Sequence, residues 1–222
     1  LPEHPYAASD IRSIFLSPYP KKVSQYTVKN KLDDPGRFRN YALFKAVYGA
    51  DEAAVARNLE PVMFAGLQLM FNRNNGAAAA LRRVASGIAA DPRLARYLAD
   101  LVRRDNYSIG TVNWSIIAGS TLLSPHSFGI AIDIIDRAST QIGYWQWATP
   151  DLVTANDWPL HFLQKRIWNP PDGLVALFEK HGFIWGGKWY HFDSIHFESR
   201  PELATNAADP VIPARPPRAV RD

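Results

Sequence analysis

The chain has no cysteine among its 222 residues, which excludes disulfides, thiol nucleophiles and thiolate-held metal sites. Any metal would have to be bound by histidine and carboxylate. Long apolar runs are also missing: nothing approaches the roughly 20 residues needed to cross a bilayer. The sequence starts at Leu1 with neither a basic n-region nor an apolar h-region, so a processed soluble protein is expected, without membrane insertion. A dense basic stripe is lacking too. The 25 Lys and Arg against 21 Asp and Glu leave a net charge of +4, with only short clusters such as Lys21-Lys22 and Arg82-Arg83. That balance favours anionic partners weakly and argues against nucleic acid. No H-E-x-x-H helix is present, no serine sits in a nucleophile elbow, and the run Asn72–Gly76 lacks the P-loop lysine.

What is present is an ordinary globular composition, 47% hydrophobic and 21% charged, long enough for one domain with extensions. Residues 1–50, with scattered prolines and aromatics, are expected to form an irregular N-terminal arm packed on the domain. The sequence predicts a short helix over residues 51–59, a strand over 67–71, and helices over 77–90 and from Pro92 onward, where Leu81, Val84 and Ile88 recur at helical spacing. From Thr111 it turns to short β pieces, at 112–117, 128–135, 183–185 and 195–197, with a helix over 173–180. The expected class is α+β: a small antiparallel sheet, with helices from the N-terminal half packed against it. A domain over 51–204 and an extended or disordered tail over 205–222, with four prolines, complete the expected division.

The most informative segment is Ser124-Pro125-His126-Ser127-Phe128-Gly129-Ile130-Ala131-Ile132-Asp133, which reads S-x-H-x-x-G-x-A-x-D. Alternation places Asp133 on the strand face shared with Ala131, whose small side chain leaves room for a metal or substrate. His126 is seven residues away, the wrong parity for one unbroken strand. A turn at Ser127–Gly129, using the conformational freedom of Gly129, would let both converge on one ion. A second segment, Asp193-Ser194-Ile195-His196-Phe197-Glu198, adds His196, with Asp193 and Glu198 as neighbouring carboxylates. Two imidazoles and one carboxylate are a donor set for catalytic zinc with an open position. Such an ion lowers the pKa of its water to about 7, and a carboxylate beside it would act as general base and acid in amide hydrolysis.

These two segments resemble the D-alanyl-D-alanine metallopeptidases, the VanY-type carboxypeptidases and their relatives in the LAS group of zinc peptidases. The stretch from Gly182-Phe183-Ile184-Trp185 to Pro201-Glu202-Leu203 resembles that family's ending, and Phe71–Gly76 resembles envelope-associated members more loosely. The resemblance implies one Zn2+ bound by His126, Asp133 and His196, Asp193 as general base, and Ser124 against the substrate. It implies peptidoglycan stem peptides as substrate, a periplasmic or extracellular location, and D-alanyl-D-alanine carboxypeptidase activity. A monomer is expected. In two places the chain departs from the pattern. Asp193 stands where the carboxypeptidases place Glu, as in the L-alanyl-D-glutamate endopeptidases, which leaves the endopeptidase as an alternative. An arginine that family members carry upstream is replaced at Trp114-Ser115, and Arg73 is the candidate substitute for contacting substrate. A non-catalytic zinc-stabilised module that grips wall peptide is the rival from another class.

Elsewhere plainer readings are favoured. His4, His161 and His181 have no ligand spacing, and His191 lines the cleft or is simply exposed. Glu198 either orients a ligand or pairs with Arg200. Tyr144, Trp145, Trp147, Trp185 and Trp189 are read first as packing and second as a groove wall.

Overall fold

A computed structural model of the chain describes residues 11, 12, 14, 19, 20, 34–104, 107–117, 120–145 and 165–204. The tail 205–222 and Trp147 fall outside these. Local chemistry sets the helix starts. Asn40 caps α1 (Tyr41–Tyr48) by accepting from the Leu43 N–H, and Asp51 caps α2 (Glu52–Arg57) by accepting from that of Ala54. A hairpin follows, β1 (Leu59–Phe64) and β2 (Leu67–Asn72), paired antiparallel. Next come α3 (Ala77–Ala90) and α4 (Pro92–Arg103); Asp91 caps the latter, with proline at its first turn.

The second sheet has four strands in the order β3-β4-β6-β5, every pair antiparallel. These are β3 (Tyr107–Gly110), β4 (Ala131–Asp136), β5 (Phe183–Trp185) and β6 (His196–Ser199). The helix α5 (Asp172–Lys180) precedes β5, and the single turn α6 (Pro201–Ala204) follows β6. The fold is therefore α+β, as the run of helices before strands indicated.

One core joins the two sheets. Leu81, Val84 and Ile88 of α3 meet Leu98 and Leu101 of α4, Phe178 of α5 and the inward Ile132 and Ile134 of β4. Phe178 stacks on Phe197 with ring centroids 4.1 Å apart, which fixes the back of β6. α3 approaches α5 closely at Gly87, where a Cβ would lie 2.6 Å from Leu177 Cδ1.

Several elements differ from expectation. Leu59, expected to end the short helix, instead opens β1, because the helix stops at Arg57 and the backbone from Leu59 pairs with β2. Residues 112–117 carry only an isolated bridge, Ile116 to Leu123, while the strand beside β4 is the preceding Tyr107–Gly110. Phe128 lies in a 3-10 turn, and β4 begins at Ala131. Within the segment read as an irregular arm, α1 sends Phe44 and Tyr48 into the main core, and Ile14 and Tyr19 are buried with Ile184, Trp189 and Leu203.

Candidate metal centre and cleft

The parity problem of the first motif is solved by a break in the chain. Pro125–Phe128 form a 3-10 turn whose first N–H groups are capped by Ser124, the His126 N–H donating to its Oγ at 3.3 Å. Gly129 then turns left-handed at φ 65° and donates its N–H to the His126 carbonyl at 3.0 Å. Asn72, fully buried at the end of β2, holds this turn. Its amide donates to the carbonyls of Phe128 (3.0 Å) and Tyr48 (2.9 Å), and its backbone N–H donates to that of Gly129 at 2.8 Å. The Phe71–Gly76 run is thus structural support for His126.

The second half of the centre follows from strand register. Asp133 of β4 and His196 of β6 are direct cross-strand partners, so their side chains leave the sheet on one face. His196 Nδ1 lies 2.9 Å from Asp133 Oδ1 and 3.2 Å from His126 Nε2, and the latter is 3.1 Å from the same carboxylate oxygen. Three ligand atoms bound at about 2.0–2.1 Å around a tetrahedral ion stand about 3.3 Å apart, close to this triangle. The group could therefore hold a divalent metal, and its donors suit zinc among several ions.

Each imidazole has its far nitrogen near an acceptor. His126 Nδ1 donates to the Thr111 carbonyl at 2.6 Å, which leaves the Nε2 lone pair facing the centre. His196 Nε2 lies 3.5 Å from Glu198 Oε2. Glu198 is buried and receives both Nε and Nη2 of Arg39, at 3.2 and 2.7 Å, and Nη1 of Arg200 at 3.3 Å. Of the two sequence alternatives for Glu198, orienting a ligand or pairing with Arg200, the Arg200 pair is present, and the same carboxylate lies beside His196. It also occupies the space beside Ala131, its cross-strand partner. The small residue makes room for a carboxylate there.

Burial and charge act against each other on the acidic groups. Burial would raise the Asp133 carboxyl, but the adjoining His126 and His196 hold it well below its usual range. Burial would lower His196, but its contacts with the Asp133 and Glu198 side chains, together with the charges of Asp133 and Asp193, instead raise it to about 10. Asp193 is pushed up to about 6, first by burial and further by the charge of Asp133. Its Oδ1 is buried with no hydrogen-bond partner among the described residues. Its backbone is held against Gly186: the Asp193 N–H donates to the Gly186 carbonyl at 2.9 Å, and a Cβ on Gly186 would lie 2.4 Å from the Asp193 carbonyl oxygen.

These groups line a cavity of about 310 Å³ that holds Ser124, His126, Asp133, Asp193 and His196 together, walled by Ile116 and Ile117 on one segment and Tyr144 and Trp189 on others. Residues 118–199 match the D-alanyl-D-alanine carboxypeptidase family. The matched segment contains both motifs, and the match supports a peptidase. No curated protein and no solved structure matches the chain.

Arg73 is not part of this cleft. It is exposed and donates from Nη2 to the Arg57 carbonyl at 2.8 Å, because the chain end of β2 turns it toward α2. The arginines that line the cavity are Arg37 and Arg39, which lie before α1 and outside the matched segment. Arg37 packs over the Trp189 ring at 4.6 Å and donates to the His191 carbonyl at 2.7 Å, while its Nε has no hydrogen-bond partner among the described residues. His191 meets the buried Asp34 at 2.6 Å, so it serves to anchor this segment. Sequence spacing had no means of finding Arg37 or Arg39, which reach the site from about 90 residues before His126.

Proposed function

We propose that the protein hydrolyses peptide bonds in the stem peptides of bacterial peptidoglycan as a zinc-dependent D-alanyl-D-alanine carboxypeptidase, in the periplasm or outside the cell. The observation that carries this reading is the convergence of His126, Asp133 and His196 beside a buried, unpartnered carboxylate oxygen of Asp193. His126 and His196 offer neutral nitrogens and Asp133 an oxygen to the ion, which when bound supplies a Lewis acid and an acidified water. Asp193 accepts a proton from the attacking water through Oδ1 and returns it to the departing amine. Its raised pKa suits a group that must both take and release a proton near neutrality. Arg37 offers the charge that Arg73 does not bring, and it would meet a substrate carboxylate at the cleft wall together with Ser124. Residues 1–50 as arm, 51–204 as peptidase domain and 205–222 as tail remain the proposed division, with the arm supplying the cleft arginines.

Incubation with a muropeptide ending in D-Ala-D-Ala should release free D-alanine, and an unchanged pentapeptide would refute the carboxypeptidase reading. The aspartate at position 193 favours one alternative of the same chemistry, cleavage between L-alanine and D-glutamate, which the same product assay distinguishes. A wall-peptide-binding module without turnover would retain metal and produce neither product.

A further inference from the structure

Glu198 has an environment that packing alone does not account for. Its side chain is fully buried between two buried guanidiniums, and apolar residues of similar volume often stabilise a core as well as or better than such a cluster. The cluster lies where the metal centre needs an acceptor. His196 turns Nδ1 toward Asp133 and His126, so Nε2 must carry the proton when the Nδ1 lone pair is free to bind an ion. That Nε2 makes no hydrogen bond of good geometry among the described residues, and Glu198 Oε2 stands at ion-pair distance, 3.5 Å away. The two histidines are therefore handled in opposite senses. A carbonyl, Thr111, accepts from Nδ1 of His126 and leaves Nε2 as the ligand atom, and a carboxylate, Glu198, faces Nε2 of His196 and leaves Nδ1 toward the centre.

We infer that Glu198, clamped by Arg39 and Arg200, is a positioning residue that sets the tautomer and ring orientation of His196, so that the segment before α1 governs the metal affinity of the centre. The inference rests on the metal reading proposed above. Arg39 holds both oxygens of Glu198 and so fixes the direction of the Oε2 lone pair toward the imidazole; Arg200, anchored in turn on the Gly36 carbonyl at 2.9 Å, prevents rotation about the carboxylate. Outer partners of this kind typically change metal affinity by about 10–100-fold.

The test is zinc affinity of the full chain, measured by competition with a chromophoric chelator. Arg39→Met/Glu198→Met removes a positive and a negative charge together and so keeps the buried charge balanced. It should fold and bind zinc about 10–100-fold more weakly, and should lack the downfield His196 imidazole N–H resonance expected of the loaded wild type. Glu198→Gln should weaken binding in the same direction. Leu98→Ala, a lesion in α4 remote from the centre, should lower the melting temperature without changing zinc affinity. Unchanged affinity in the folded double variant, or an equal loss in Leu98→Ala, overturns the role of Glu198. Failure of the wild type to bind zinc would instead overturn the metal reading itself.

Discussion

For Asp193, the proposed general base, usefulness in proton transfer and structural cost have one origin. Burial raises its carboxyl to about 6, so the ionised form needed to accept a proton is the form the fold tolerates least. Asp193→Asn should lower kcat by about 10²–10⁴ while leaving bound metal in place, as read by turnover and elemental analysis. The sign of the stability effect follows from linkage. A carboxyl whose folded pKa exceeds its unfolded value contributes stability below about pH 3.8 and loses it as pH rises through about 6. Asp193→Asn should therefore raise the melting temperature of metal-free protein at pH 8 and change it little at pH 4. His196 makes a separate prediction. Raised to about 10, it is protonated in metal-free protein at neutral pH, so metal entry must displace that proton. Calorimetry in buffers of different ionisation enthalpy should report about one proton released from this residue per ion, with affinity rising as pH rises.

At the scale of elements, the centre depends on one broken strand and one strand register. Asp133 and His196 meet because β4 and β6 place them opposite each other; a slip of one residue would send one of them to the Phe197 side of the sheet. His126 depends on Gly129, whose φ of 65° and contact with β1 both resist a side chain, a Cβ there lying 2.6 Å from Leu59 Cδ2. Gly129→Ala should cost about 1–2 kcal/mol from backbone conformation alone, and weaken metal binding as the turn shifts. Thermal unfolding with a parallel zinc titration measures both. The motif announced this turn by parity, since two ligands seven residues apart cannot share a strand face. It did not announce that Asn72 would hold the turn from another sheet, because an amide bridging two carbonyls leaves no periodic trace.

At the scale of the whole molecule, the segment before α1 closes the cleft. Arg37 and Arg39 are buried against Trp189 and Glu198, joining the chain's N-terminal third to its last strand. Burial alone would raise Glu198, but Arg39 holds it well below its usual value of 4.5. That stability is fully present above about pH 4.5 and is lost as pH falls below it, so acid titration should loosen this junction before the α3–α4 core. Arg39→Met alone leaves Glu198 less compensated and should cost about 3–5 kcal/mol, measured by denaturant unfolding at pH 7. Chelator should lower the melting temperature of the loaded wild type, as expected of any ligand that binds only the folded state.

The sequence by itself determined the α+β class, most helices, and the five residues Ser124, His126, Asp133, Asp193 and His196 that line one cavity. Those features are local: capping residues, periodicity and motif spacing each act within a few turns of chain. Only the tertiary structure decided which arginines reach the cleft, why Arg73 does not, and that Glu198 stands behind His196 with Arg39 as its partner. These depend on contacts between distant segments, where burial and charge pairing choose partners that sequence separation does not reveal.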